Sequence, residues 1–247
     1  MSIETEKDLS SLMLVGKIVG LTLRKMKEHV RPGITTGELD DIGAEFLRQY
    51  GVRSAPMLVY NFPGTVCISV NDEAAHGIPG SRVIRQGDLV KLDITGELDG
   101  YYADAALTVP VLPVPPKKQK LCDCARSALS EAIGAARAGA PLNRIGAAAE
   151  ADARRRGFRI VSDLTGHGVG RSIHEEPTVP NFYISHMRKP LTDGLVLAVE
   201  PHVTAGTGNV VTASDGWTIK TRDGSAVANF EHTIVVTKGR PIIVTAA

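Results

Sequence analysis

Apolar residues recur at helical spacing near the start of the chain, where Leu12, Val15, Val19 and Met26 fall on one stripe. Pro32-Gly33 interrupts that stripe. A second helix is predicted from Thr35, where Glu38 stands three residues on for a capping box, up to a stop at Gly51. The second half of the chain repeats the plan, with a helix from about Lys118 to Ala138 before Gly139, and another running to Gly157. Adding 106 maps Arg31, Gly33, Arg48, Gly51 and Arg53 onto Arg137, Gly139, Arg154, Gly157 and Arg159, each an identity at a matching helix end. Such a register points to internal duplication. Strand-rich segments follow each helix pair, and Pro110 to Pro116, with four prolines, reads as the connector. The chain is therefore expected to be a single domain, 1–247, built from halves of about 1–109 and 117–247.

Leu89 to Thr95 and Tyr101 to Val109 are apolar and β-branched runs around the turn signal Leu98-Asp99-Gly100, which predicts a hairpin. With a two-residue loop at Asp99-Gly100, Asp104 faces Thr95 and Asp93 becomes its diagonal neighbour on the same sheet face. Sliding the loop to Leu98-Asp99 puts Asp93 directly opposite Asp104, so both even registers bring the carboxylates together. A bulge at Gly96 is the one device that breaks this. Two like charges at that distance repel unless a proton or a cation lies between them.

Glu200 ends the run Leu195 to Val199 and precedes Pro201, while Glu231 opens the run His232 to Val236. Carboxylates beside such apolar neighbours need a metal or a basic partner. A single acid at a strand end is ordinarily a salt-bridged terminus. Here Asp93, Asp104, Glu200 and Glu231 are joined by His167 in a glycine-rich stretch, Gly166-His167-Gly168-Val169-Gly170. Four carboxylates and one imidazole form a ligand supply for two adjacent divalent cations, because carboxylates can bridge two ions and a lone imidazole can cap one. The glycines lack the spacing of a dinucleotide fingerprint, and close backbone packing is their expected use. No G-x-S-x-G elbow is present to support a serine hydrolase.

Composition narrows the class without choosing within it. At 247 residues and 43% hydrophobic, the chain can bury a full core, and no apolar run approaches the ~18 residues of a membrane span. Its first residues are polar and of mixed charge, unlike a signal peptide, so the cytoplasm is the expected compartment. A net charge of +1 provides no global field for nucleic acid. Arg24-Lys25-Met26-Lys27, Lys117-Lys118-Gln119-Lys120 and Arg154-Arg155-Arg156 read as solvated helix faces, with contact to ribosomal RNA as the rival reading. Cys122 and Cys124, two apart on a predicted helix, suggest reduced thiols rather than a disulfide or a zinc clamp.

Seven motifs, in order, resemble type I methionine aminopeptidases of the pita-bread superfamily. They are His76-Gly77-Ile78-Pro79, the Asp93 and Asp104 hairpin, the segment around His167, His174-Glu175-Glu176-Pro177, Glu200-Pro201, Gly216-Trp217 and Phe230-Glu231-His232-Thr233. The resemblance spans essentially the whole chain. It implies an α+β pita-bread fold, two pseudo-symmetric αβ halves around a curved antiparallel sheet. It also implies removal of the initiator methionine from nascent chains whose second residue is small, by a cytoplasmic monomer that recognises neither membrane nor specific nucleic acid sequence.

By the same resemblance, Asp93 binds one metal, His167 and Glu200 the other, and Asp104 and Glu231 bridge, with cobalt, manganese, iron or zinc all suited to the donors. Glu200 also relays the proton of the attacking water, His174 donates to the scissile carbonyl, and His76 contacts the substrate backbone and leaving group. Phe62, Cys67 and Trp217 wall the pocket for the first side chain, whose volume depends on Val59 and Ile173. A monovalent cation is implied at carbonyls near Asn71, Glu73 and Val227. His202 and His232 are expected to face away from the ligands and to be structural.

Two alternatives share parts of the pattern. Xaa-Pro peptidases use the same ligands but usually carry an extra N-terminal domain, for which a chain with its first ligand at 93 has no room. A non-catalytic binding module of this fold lacks ligands, whereas all five are present here.

Overall fold

The protein, described over residues 1–246 by a computed structural model, opens with helix α1 (Glu6–His29). A capping box between Thr5 and Asp8 starts it, and Leu12, Val15, Val19 and Met26 form its buried stripe, as their spacing predicts. Helix α2 (Thr36–Gln49) starts at the expected Thr35–Glu38 box. Strand β1 (Arg53–Ser54), the short helix α3 (Ala55–Tyr60), β2 (Cys67–Val70), β3 (Glu73–Ala75), β4 (Leu89–Leu98) and β5 (Tyr101–Pro110) complete the first half. The second half begins with α4 (Pro116–Ala135), α5 (Asn143–Arg155) and β6 (Arg159–Ile160). It continues through β7 (Thr165–Gly168), β8 (Glu175–Pro180), β9 (Val196–Val199), β10 (His202–Thr204), β11 (Val210–Thr212) and β12 (Ile219–Thr221). Strands β13 (Val227–Asn229), β14 (Glu231–Val235) and β15 (Ile242–Ile243) close the chain.

Nine strands form one antiparallel sheet in the order β1-β4-β5-β14-β9-β7-β8, with β2 on β4 and β15 on β14. One apolar core lies between this sheet and the first helix pair; the other lies between it and α4 with α5. The helix ends 106 residues apart have matching geometry. Gly51 and Gly157 adopt positive φ of 70° and 83°, and Val52 and Phe158 donate main-chain hydrogen bonds to Leu47 and Ala153, again 106 apart.

Helix α4 departs from the expected Lys118–Ala138 span. It begins at Pro116, because proline at the first turn loses no intrahelical bond, and it ends at Ala135. Beyond that, the Ala138 N–H donates to the Thr237 carbonyl, so the backbone is recruited to the sheet side instead of to another helical turn.

The β4–β5 hairpin has the two-residue Asp99-Gly100 loop, with both residues at positive φ, and pairs Thr95 with Asp104. No bulge forms at Gly96, which pairs with Ala103. Its missing side chain has another use, since a Cβ there would lie 2.8 Å from Val19 and Val52 side-chain atoms. Glycine lets α1 close on the hairpin.

Candidate metal centre and substrate pocket

Five adjacent strands of the large sheet, β4-β5-β14-β9-β7, contribute one chemically distinctive side chain each: Asp93, Asp104, Glu231, Glu200 at the end of β9, and His167. Register explains the convergence. Asp93 and Glu231 both pair with Ala106, Asp104 pairs with Thr95 two residues from Asp93, and His167 pairs with Ala198. Alternation then turns the set to one face. Glycines flank the imidazole because a Cβ at Gly166 would lie 2.3 Å from the Ala198 carbonyl, and one at Gly168 2.3 Å from the Glu176 carbonyl.

Asp104, His167 and Glu231 offer ligand atoms within 4.8 Å of one another. His167 Nε2 lies 3.4 Å from Glu200 Oε1 and 3.9 Å from Asp104 Oδ2. The other ring nitrogen, Nδ1, is 2.9 Å from the Gly168 carbonyl oxygen, which fixes the proton there and leaves the Nε2 lone pair facing the carboxylates. Asp104 Oδ2 accepts from Thr95 Oγ1 at 2.8 Å. Among the described residues, Asp104 Oδ1 and Glu231 Oε1 are buried without any hydrogen-bond partner.

Burial, above all, raises the pKa of Asp93, Asp104, Glu200 and Glu231; repulsion from Asp104 adds to the rise in the other three, while the Thr95 hydroxyl opposes it in Asp104. Four clustered acids, Asp104 and Glu231 buried and Asp93 and Glu200 half-buried, with two orphaned oxygens and one correctly oriented imidazole fit divalent cations, because only positive charge among them satisfies all the donors at once. His76 and His174 lie beside this set. Burial and then a neighbouring imidazole lower both, which keeps them neutral near pH 7. His76 has a positive φ of 54°.

A model of metallopeptidase family M24 matches residues 11–238. The chain belongs to that family. It is 43% identical to methionine aminopeptidase 2 of Bacillus subtilis, over 99% of each chain, and 42% identical to a methionine aminopeptidase of Staphylococcus epidermidis, over 99% of this chain and 98% of that one. Among solved structures, the methionine aminopeptidase of Thermotoga maritima superposes with a TM-score of 0.97 at 33% identity, covering all of both chains. The prolidase of Pyrococcus horikoshii has a TM-score of 0.79 at 20% identity, over 99% of this chain and 63% of that one, a likeness of fold alone. The shared architecture is the pita-bread fold. No described helix is long and apolar enough to cross a membrane.

In this M24 chain a cavity of about 320 Å³ is lined by all ten residues singled out in the sequence: the five above with Phe62, Cys67, His76, His174 and Trp217. Phe62 and Trp217 meet edge to face, with ring centroids 5.3 Å apart. Cys67 pairs with Asp93 across β2 and β4, and burial pushes its thiol well up. Ile173 lines the cavity, but Val59 is exposed and does not. Its neighbour Tyr60 takes the place beside the cavity, and its hydroxyl is 2.7 Å from His174 Nδ1. Sequence reasoning missed Tyr60, since which residue of a six-residue helix turns inward depends on how α3 docks. Thr95 and Pro56 were also missed.

Two further expectations change. The reading of His202 assumed a regular strand through Glu200, but the chain leaves the large sheet at Glu200-Pro201 and enters β10, which pairs with β13. His202 Nδ1 therefore lies 2.9 Å from the Glu200 carbonyl oxygen and 3.8 Å from its carboxylate, with Asn229 beneath. His232 does point away, with Nδ1 2.8 Å from Thr245 Oγ1. The monovalent cation implied by resemblance does not fit. Asn71 and Val227 carbonyls accept hydrogen bonds from Lys91 Nζ at 3.2 and 3.1 Å, and Lys91 is only 2% exposed. Burial pushes its amine down to about 7.

Proposed function

We propose that this chain is a metal-dependent aminopeptidase that removes N-terminal methionine from newly made polypeptides when the second residue is small. The observation that carries the reading is the set of five ligand-type side chains on five adjacent strands, with orphaned carboxylate oxygens, opening on a pocket walled by Phe62 and Trp217. Asp93 would hold one divalent cation, His167 and Glu200 a second, and Asp104 and Glu231 both. Oxygen-rich donors with one imidazole accept cobalt, manganese, iron or zinc. Cations held there supply Lewis acidity, polarising a carbonyl and acidifying water near neutral pH.

The protein's own groups do the rest. Glu200 takes the proton that the attacking water gives up and delivers it to the leaving amine, so that one C–N bond breaks as one C–O bond forms. The Tyr60 hydroxyl lies 2.7 Å from His174 Nδ1; acting as donor, it would leave the ring hydrogen on Nε2, to be donated to the carbonyl oxygen as that oxygen gains charge. His76 holds the substrate main chain near the scissile bond. Phe62, Cys67 and Trp217 enclose the first side chain, and burying a thioether side chain of methionine's size contributes about 1.5–3 kcal/mol. The residue after it would pass close to His76 and the metal ligands, where Gly, Ala, Ser or Pro would be accepted.

The ten residues lie together in one chain, which supports a monomeric enzyme. The substrate pool is that of the cytoplasm, where chains are synthesised. Arg154, Arg155 and Arg156 are ion-paired with Glu150 and Asp152, and Lys118 bonds Asn71 and Gly87. Lys25 is paired with Glu28, and exposed Arg24, Lys27, Lys117 and Lys120 remain for a ribosome surface. Metal analysis after loading and dialysis should find two divalent cations per chain, and chelation should abolish cleavage of a Met-Ala peptide. Full activity in verified metal-free protein overturns the proposal.

A further inference from the structure

Lys91 stands on β4 two residues before Asp93, in the run Leu89-Val90-Lys91-Leu92, whose apolar members are fully buried. A lysine at such a position is costly unless its nitrogen finds partners. Those partners are two main-chain carbonyls from different halves of the molecule, Asn71 at the end of β2 and Val227 at the start of β13. The Asn71 carbonyl also accepts from the Val227 N–H at 3.0 Å, so the two chain segments are already fastened together where the nitrogen arrives. Asn71 itself is held rigidly. It has a positive φ of 57°, its amide donates to Asp88, and its side-chain oxygen accepts from the Leu89 N–H and from Lys118 Nζ.

Converging main-chain carbonyls are the donor type that a desolvated monovalent cation requires. Here the position in front of them is filled by a nitrogen that the chain carries on its own strand. We infer that Lys91 Nζ is a built-in occupant of this position, tying Asn71 to β13 behind the Asp93 strand, so that the protein neither binds nor needs a monovalent cation there. The assignment does not turn on the charge of the amine, because both protonation states have the N–H groups that two carbonyls need.

Diffraction from wild-type crystals soaked in rubidium chloride tests this directly. No anomalous peak is expected at the Asn71 and Val227 carbonyls, and a peak there overturns the inference. In solution, the wild-type Tm should be the same in potassium, sodium or choline chloride at equal ionic strength. Lys91→Asn removes the nitrogen and leaves the carbonyls. Its Tm should be lower in choline and should rise by about 3–6 °C in potassium or sodium at tenfold above the cation's Kd. A variant that responds no more than wild type contradicts the claim that the amine fills a cation's place. Should Lys91→Asn fail to fold, the rubidium experiment on wild-type protein decides alone. Neither readout uses peptidase activity, so the outcome is separable from the proposed substrate.

Discussion

Tyr60→Phe removes one oxygen atom and leaves the ring that packs 5.7 Å from His174, centroid to centroid. The lost contact is the 2.7 Å bond between the Tyr60 hydroxyl and His174 Nδ1. Burial raises the Tyr60 pKa and lowers that of His174, so both groups are neutral near pH 7. With the Tyr60 hydroxyl as donor, the ring hydrogen sits on His174 Nε2, the nitrogen that the proposed mechanism turns to the substrate. A neutral hydrogen bond contributes about 0.5–1.5 kcal/mol, so kcat should fall roughly 2- to 12-fold. Metal content should not change, because the Tyr60 hydroxyl bonds His174 and not one of the five metal ligands. Removing the whole donor with His174→Ala should cost about a hundredfold or more in kcat. The decisive assay is the double variant in steady-state hydrolysis of a Met-Ala peptide. If Tyr60 acts only through His174, the double variant should match His174→Ala. Multiplicative losses, or a fall in metal content for either single variant, refute the reasoning.

Asp104→Asn should lose at least one divalent cation and nearly all peptidase activity while near-ultraviolet circular dichroism stays native, since a single polar atom of the core has changed. Trp217→Ala should keep its metals but lose about a decade of kcat/KM for methionine over alanine at the first position, because half of the Phe62–Trp217 wall is gone. Gly166→Ala pushes a methyl group to 2.3 Å from the Ala198 carbonyl and should displace His167 with β7, weakening metal affinity about 10–100-fold in a competition titration with a chelating dye.

What the sequence disclosed, and what it hid, follows from the range of the interactions concerned. Helix starts at Thr5 and Thr35 are local hydrogen-bond chemistry; the Thr35–Glu38 box was legible from spacing. The hairpin was legible down to two even registers that both join the carboxylates, and the Asp99-Gly100 loop is the one that forms, pairing Thr95 with Asp104. That five ligand-type residues would meet was implied by the motifs, but that each stands on its own strand in consecutive sheet positions depends on β14 inserting between β5 and β9, which no local pattern encodes. His202 was misplaced because the period-two rule was carried through a proline that ends one sheet and begins another. Tyr60 and Lys91 were overlooked for a different reason. One acts through the docking of a short helix, and the other through carbonyls 20 and 136 residues away.

The central claim is that the four clustered acids and His167 hold metals that hydrolyse a methionyl bond beside a small residue. A peptide series varying the first two residues, run with metal-loaded and chelated protein, tests it most directly. The account predicts cleavage of Met-Ala, Met-Gly and Met-Ser peptides only when metal is present, weaker cleavage when leucine or norleucine replaces methionine, and negligible cleavage of Met-Lys. Equal turnover of Met-Ala and Met-Lys, faster cleavage of Ala-Pro than of Met-Ala, or undiminished activity after chelation contradicts it.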